Sequence, residues 1–146
     1  MAGAVSGDRL AILTNGGGVG VIATDTLIDK GGRLAELSPE TLARLNEGLP
    51  PTWSHGNPVD IIGDAQGSRY ADALETLFYA REVDAVLVIN CPTAVASSTE
   101  AAQAGIDTMQ KSRSRYRQTV LLTSWLADDA ADAGRRVFPQ THIPAH

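Results

Sequence analysis

The chain has 146 residues, of which 43% are hydrophobic, so it can bury one core and suits a single domain. Its formal charge of -5, from 17 acidic and 12 basic residues, argues against a protein that binds nucleic acid through a basic surface. The single cysteine, Cys91, excludes an internal disulfide and a multi-cysteine metal site. The sequence shows neither a signal peptide nor a long apolar span, so we expect a cytoplasmic protein without membrane contact.

The chain begins with a segment that has little to pack, followed by a strand, a loop and a helix. Residues 1–9 are small and polar and predict a flexible lead-in, and residues 10–146 are predicted to form one domain. The stretch Leu10–Val21 changes from an apolar run to three glycines and then to a helical pattern that continues to Lys30. A buried parallel strand, a tight loop and a helix have this order of residue types.

The rest of the chain repeats the alternation of strand and helix. Further strands are predicted at Leu34–Leu37, Val59–Ile62, Val83–Ile89, Thr119–Thr123 and Ile143–Ala145, and helices from Pro39 to a point before Leu49 and at Ser68–Arg81, Ser97–Lys111 and Ala127–Arg136. This alternation predicts an α/β fold of three layers, a doubly wound parallel sheet with flavodoxin-like strand order 2-1-3-4-5. The loops Asn15–Gly18, Gly63–Gly67 and Asn90–Thr93 then meet at the carboxyl edge of the sheet.

The glycine loop allows two interpretations. The first amides of a helix have no intrahelical partner and carry the positive end of the helix dipole, so this junction can bind phosphate or carboxylate through backbone alone. The spacing fits neither the P-loop nor the full dinucleotide-binding pattern, because no glycine stands at the third position of the pattern that Gly16 and Gly18 begin. The alternative is that the glycines only allow a tight crossing from strand to helix.

The side chains near these loops offer few candidates for catalysis. Cys91 precedes a predicted helix, where a lowered thiol pKa would allow a nucleophile, but without a histidine nearby in the sequence or a recognised motif the sequence favours a plain buried or semi-buried cysteine. Asp60 is predicted to accept hydrogen bonds from loop amides, and Asn57 to begin the turn before it. The three histidines have no catalytic context and no metal-ligand spacing. We therefore expect neither a catalytic residue nor a metal site.

Taken together, four segments resemble the NDP-forming acyl-CoA synthetases. The segments are Leu10–Gly18, Leu34–Thr41, Gly56–Ile61 and Val83–Ile89, and the likeness extends over nearly all of residues 8–145. The group is that of the ADP-forming acetate–CoA ligases within the succinyl-CoA synthetase superfamily. The chain is similar to the C-terminal flavodoxin-like ligase domain of the alpha part, which follows a CoA-binding domain and another flavodoxin-like domain.

The resemblance implies a share in a reaction that converts acyl-CoA, phosphate and ADP into acid, CoA and ATP through a phosphohistidine. In the family, that histidine lies in the preceding domain within a Ser-His-Thr-Gly motif, which His55 does not match, and an ATP-grasp module holds the nucleotide. The resemblance therefore implies that this domain is inactive alone and binds no cofactor by itself. CoA, ATP or ADP and Mg²⁺ belong to the parent enzyme, and the partners are its CoA-binding, phosphohistidine-bearing and ATP-grasp domains.

The resemblance implies that the role left to this domain is to help hold the phosphohistidine of its neighbour. The candidate residues for this are Asn15, Gly16, Gly17, Gly18, Asn90, Cys91 and Thr93. Relatives commonly have proline after the glycines, whereas Val19 keeps an amide donor there.

Two other functions remain open on the sequence. The same domain array occurs in bacterial protein lysine acetyltransferases, where it looks regulatory, so this chain could sense acyl-CoA. The third reading is a flavodoxin-like domain that binds an unrelated phosphate ligand. Because relatives continue past Ile143 into a final helix, we also expect a truncated chain with exposed apolar surface that forms a homodimer.

Overall fold

A computed structural model describes residues 7–91, positions 103 and 107, and the backbone of residues 120–125. The elements in chain order are β1 (Arg9–Thr14), α1 (Gly17–Asp29), β2 (Arg33–Leu34), α2 (Pro39–Gly48), β3 (Val59–Asp60), α3 (Gly67–Tyr79), β4 (Ala85–Asn90) and β5 (Val120–Trp125). The two helices predicted after β4 and the strand predicted at 143–145 lie outside the described residues, apart from positions 103 and 107, which are helical.

All described strands are parallel, which confirms the predicted α/β sheet. The strand order is β2-β1-β4-β5, and β3 also pairs with β1. The predicted neighbours β2 and β1, β1 and β3, and β4 and β5 are therefore confirmed. The predicted pairing of strand 3 with strand 4 is wrong, because β4 lies directly beside β1.

Strand length explains this arrangement. Strands β2 and β3 have two residues each, and they share one edge of β1: Arg9 pairs with Arg33 near its start, and Thr14 pairs with Asp60 at its end. The opposite edge of β1 is left for β4, which pairs along five consecutive residues from Leu10 to Thr14. Without β3, the order has the flavodoxin-like form.

The side chain of Asn57 fills the gap between the two short strands. Its Oδ1 accepts a hydrogen bond from Ile12 N at 3.0 Å, and its Nδ2 donates to Leu10 O at 3.0 Å and to Ala35 O at 2.9 Å. A side-chain amide thus does what a strand backbone would do at this position: it accepts from the Ile12 amide, which lies between the backbone bonds of Ala35 N to Leu10 O and of Ile61 N to Thr14 O. This contact joins the segments that contain β1, β2 and β3.

The two helix ends that the sequence marked most clearly are confirmed. Ser38 caps α2, since its Oγ accepts a hydrogen bond from Thr41 N at 3.2 Å, and Pro39 occupies the first turn. Helix α1 ends at a glycine pair in which Gly31 has a φ of 79°, a left-handed conformation that glycine adopts without strain.

The main core lies on one side of the sheet. Alternate residues of β1 and β4 face α2 and α3, and the cluster includes Leu13, Val86, Leu45, Tyr70 and Leu77. Trp53 is 2% exposed and belongs to the same cluster, and its Nε1 donates to Asn46 Oδ1 at 2.8 Å. The tryptophan is therefore a core residue and does not present a stacking surface to a ligand.

We predict that Asn57→Ala destabilises the domain by about 2–4 kcal/mol, because it leaves the Ile12 amide and two carbonyls without this partner. Urea unfolding followed by circular dichroism measures the change. The exposed substitution Glu47→Ala is the control and should stay within about 0.5 kcal/mol of the parent chain. Equal stability of the two variants would show that Asn57 does not hold the strands together.

Candidate functional site

The candidate site begins where β1 ends. The buried Thr14 turns its hydroxyl onto the next loop: its Oγ1 accepts a hydrogen bond from Gly16 N at 3.0 Å and donates to Gly16 O at 3.3 Å. This contact fixes Gly16 as the last extended residue, with φ -131° and ψ 104°, before α1 starts at Gly17. The loop between strand and helix is therefore only two residues long, Asn15 and Gly16.

Asn15 connects this loop to the end of β4. Its Oδ1 accepts a hydrogen bond from Cys91 N at 2.7 Å, and its Nδ2 donates to Cys91 O at 2.8 Å. The pair of bonds extends the contact between β1 and β4 by one residue beyond the strands. The loops that follow these two strands, predicted to meet, are brought together here.

Asp60 brings the loop after β3 to the same place. Its Oδ1 accepts a hydrogen bond from Ile62 N at 2.9 Å, and a β-carbon at Gly17 would lie only 2.7 Å from its Oδ2. Ile62 has a φ of 74°, which is strained for a β-branched residue and was not foreseen from the sequence. The Asp60 carboxylate therefore binds the Ile62 amide and lies against the start of α1.

The glycines of the loop differ in what surrounds them. A β-carbon at Gly16 would collide with the Cys91 sulfur, and one at Gly17 would press on Asp60. One at Gly20 would lie 3.1 Å from Thr14 Cγ2, so α1 packs closely onto the end of β1. Gly18 has open space in the direction of a β-carbon. Packing within the domain thus requires glycine at positions 16, 17 and 20, but not at position 18.

Two helices begin near this end of the sheet without a side-chain cap. Among the described residues, no side chain caps α1, whose N-cap residue is Gly16, or α3, whose N-cap residue is Gln66. In α3, Arg69 N and Tyr70 N donate to Gln66 O, and in α1, Gly20 N donates to Gly16 O. The amides before them, of Gly67 and Ser68 in α3 and of Gly17, Gly18 and Val19 in α1, have no intrahelical acceptor and lie at the positive ends of the helix dipoles. Backbone donors of this kind are what an anion requires.

The side chains of Asn90 and Cys91 are engaged within the domain. Asn90 Nδ2 donates to the Tyr70 hydroxyl at 3.1 Å, and both residues are buried. Burial raises the pKa of Tyr70, so the phenol is neutral. Tyr70 lies on α3, and its link to the end of β4 could not be foreseen from spacing.

The Cys91 thiol does not have the environment of a nucleophile. Burial raises its pKa, and the nearby Asp60 carboxylate raises it further, against a hydrogen bond with Thr14 that lowers it. The lowered pKa expected for a cysteine before a helix is therefore wrong, and the plain cysteine remains. Thr93, the last of the predicted site residues, lies outside the described residues.

The His55 ring contributes to the packing around Trp53. Its ring is 4.8 Å from the Trp53 ring, and its Nε2 is 2.7 Å from Pro51 O. Within residues 7–91 and the other described positions, there is no group of three or more metal-binding side chains, and no helix is long and apolar enough to span a membrane.

The geometry defines a class of protein: a flavodoxin-like α/β domain whose sheet edge offers backbone amides from two helix N-termini. The sequence model of the Ligase-CoA domain family matches residues 10–145, and the chain belongs to this family. The predicted membership in the acyl-CoA synthetase group is thereby confirmed.

Two curated relatives are ADP-forming acetate–CoA ligases. The chain is 33% identical to the alpha subunit of acetate–CoA ligase I from Pyrococcus furiosus over 96% of its own length and 29% of that subunit. It is 44% identical to acetate–CoA ligase I from Archaeoglobus fulgidus over 65% of this chain and 14% of that protein.

A solved structure gives the same result. The dinucleotide-forming acetyl-coenzyme A synthetase 1 of Ca. Korarchaeum cryptofilum, in its apo form and in complex with phosphate and ADP, matches with a TM-score of 0.86 and 29% identity. The match covers 97% of this chain and 30% of that one. The chain thus spans less than a third of the length of these relatives.

The surroundings of the glycines predict unequal effects of added methyl groups. Gly16→Ala should lower the free energy of unfolding by about 1–3 kcal/mol, because the new β-carbon and the Cys91 sulfur cannot both fit. Gly18→Ala should leave stability unchanged or raise it by up to about 1 kcal/mol, since it places a better helix former in open space. Urea unfolding distinguishes the two, and a greater loss in Gly18→Ala would contradict the packing described.

Proposed function

We propose that this chain is the ligase domain of an ADP-forming acyl-CoA synthetase. In this role its backbone amides help hold the phosphoryl group carried by a histidine of a neighbouring domain. The observation that carries the proposal is the pair of uncapped helix N-termini, those of α1 and α3, near one end of the sheet. The family membership and the titles of the relatives support the same reaction.

The amides of Gly17, Gly18 and Val19 are the donors we assign at α1. Thr14 and Asn15 are positioning residues: the Thr14 hydroxyl fixes Gly16, and the Asn15 amide is bonded to the backbone of Cys91. Because these side chains bind backbone, the loop keeps its shape without a ligand, and the amides need no rearrangement when charge arrives.

The Asp60 carboxylate limits what this site holds by itself. It lies beside Gly17, where it also faces the positive end of the α1 dipole. A free phosphate would meet this negative charge, so we expect weak binding of phosphate by the isolated domain. A phosphoryl group delivered on a neighbouring domain has the docking of that domain to hold it in place.

Other parts of the reaction are assigned to other domains. We propose that CoA, the nucleotide and Mg²⁺ are bound by CoA-binding and ATP-grasp domains, in the same chain or in a partner chain. The phosphohistidine is assigned to a further domain, because His55 is packed against Trp53 and Pro51. The isolated chain is accordingly expected to be inactive.

The function is tested in the full synthetase polypeptide that carries this domain, assembled with its ATP-grasp module. Acetyl-CoA, ADP and radiolabelled phosphate are supplied, and ATP and protein-bound label are measured. We expect ATP formation through a labelled histidine outside residues 1–146, and a loss of about 10²-fold in rate for Gly17→Leu, whose side chain displaces Asp60 and the first amides.

Gly48→Leu is the matched control, because Gly48 is an exposed glycine in α2. A β-carbon added there would lie 3.9 Å from Asp72 Cβ, which is an ordinary van der Waals distance. It should keep the parent rate. An undiminished rate in Gly17→Leu would show that the glycine loop is not part of the site. Absence of both turnover and label in the parent enzyme would instead favour the regulatory domain of an acetyltransferase.

A further inference from the structure

The Tyr70 hydroxyl lies where α3 meets the end of β4. Tyr70 is the largest of the fully buried side chains in the described part of the chain, and its oxygen accepts a hydrogen bond from Asn90 Nδ2 at 3.1 Å. Asn90 is the last residue of β4 and is itself buried. A phenylalanine would fill the same space without a buried hydroxyl to satisfy, so the hydroxyl needs a reason beyond core packing.

The backbone amide of Asn15 is a second neighbour of this oxygen. Burial raises the pKa of Tyr70, against hydrogen bonds from the Asn90 side chain and from the Asn15 amide that lower it. Asn15 is the first residue of the loop that leads into α1, and its side chain is bonded to both backbone groups of Cys91. The phenol oxygen of α3 is therefore held between the end of β4 and the loop before α1.

Two successive side chains attach the beginning of α3 to the sheet. Its N-cap residue, Gln66, forms no side-chain cap. Arg69 Nη1 donates a hydrogen bond to Ile61 O at 2.9 Å, which ties the helix to the segment after β3. Tyr70 ties the same part of the helix to the end of β4. Because the loop before α1 is bonded to the residue after Asn90, the Tyr70 hydroxyl connects the start of α3 to the start of α1.

We infer that Tyr70 is a positioning residue whose hydroxyl sets the starts of α1 and α3 relative to each other, so that both present amides to one phosphoryl group. The inference rests on the proposed function, since it requires the two helix starts to share a ligand. Donors held in place before the ligand arrives need no reorganisation, and a displacement of about 1 Å at such a site costs a large factor in rate. A residue that only filled the core would act through its ring, and its hydroxyl could be removed without effect on the site.

The first test is a titration of the ¹⁵N-labelled chain with inorganic phosphate, in the parent and in Tyr70→Phe. In the parent we expect the amides of Gly17 and Gly18 and those of Gly67 and Ser68 to follow one binding curve. In Tyr70→Phe the ring still fills the core, but the start of α3 is no longer fixed. We therefore expect the two α3 amides to shift by about half the parent value or less at the same phosphate concentration.

Two variants on the same helix serve as controls. Tyr79→Phe removes the same hydroxyl group from the other end of α3 and keeps the ring beside the Arg44 guanidinium. Ala73→Gly, at a buried position of α3, weakens the helix and leaves both tyrosines in place. Urea unfolding measures how much stability each variant loses. Both controls should keep the phosphate shifts of the parent.

The second test uses the full assembled synthetase. Tyr70→Phe should lower kcat about tenfold and leave the KM values for ADP and acetyl-CoA within about twofold, because we assign these ligands to other domains. Tyr79→Phe and Ala73→Gly should keep the parent kcat. This split between kcat and KM is not expected of a residue that only stabilises the fold.

The outcomes separate this inference from the proposed function. Either parent-like phosphate shifts or a parent-like kcat in Tyr70→Phe would overturn the inference and leave the proposed function standing. Equal losses in Ala73→Gly and Tyr70→Phe would also overturn it, because the hydroxyl would then act only through stability. Absence of phosphate shifts at both helix starts in the parent chain would instead contradict the proposed function, and this inference with it.

Discussion

Two asparagine side chains replace strand backbone on the two sides of β1, and the rest of the site depends on them. Asn57 completes the edge that β2 and β3 share, and Asn15 continues the contact with β4 by bonding both backbone groups of Cys91. A buried edge with unpaired amides and carbonyls would cost several hydrogen bonds. Because the side chains of Asn57 and Asn15 supply these hydrogen bonds, the strands beside β1 can be short, and the chain can turn into loops close to the end of β1.

The loops are held by polar side chains that point to backbone, which leaves backbone amides for a ligand. Thr14 fixes Gly16, and Asp60 fixes Ile62 in a strained conformation. Strain of this kind persists only where surrounding contacts determine the backbone, and it is concentrated at functional sites. The helix N-termini then provide positive potential through their backbone amides. A site built in this way suits a phosphoryl group that another domain delivers.

The sequence predicts much of this architecture but not its pairing. The apolar run of β1, the Ser38 cap and the glycine end of α1 follow from local residue types, and the structure confirms them. The strand predicted at Val59–Ile62 ends at Asp60 instead, because the Asp60 carboxylate takes the Ile62 amide that a longer strand would use. The position of β4 beside β1 and the contact between Asn90 and Tyr70 depend on residues distant in the chain, which no local pattern encodes.

The central claim is that backbone amides at the starts of α1 and α3 receive the phosphoryl group. Its most direct test is a titration of the ¹⁵N-labelled chain with inorganic phosphate, followed by the amide chemical shifts. We predict that the amides of Gly17, Gly18 and Val19, and those at Gly67 and Ser68, shift together and weakly, and that an equal concentration of chloride leaves them unchanged. Shifts confined to arginine-bearing surfaces, with these amides unmoved, would contradict the account.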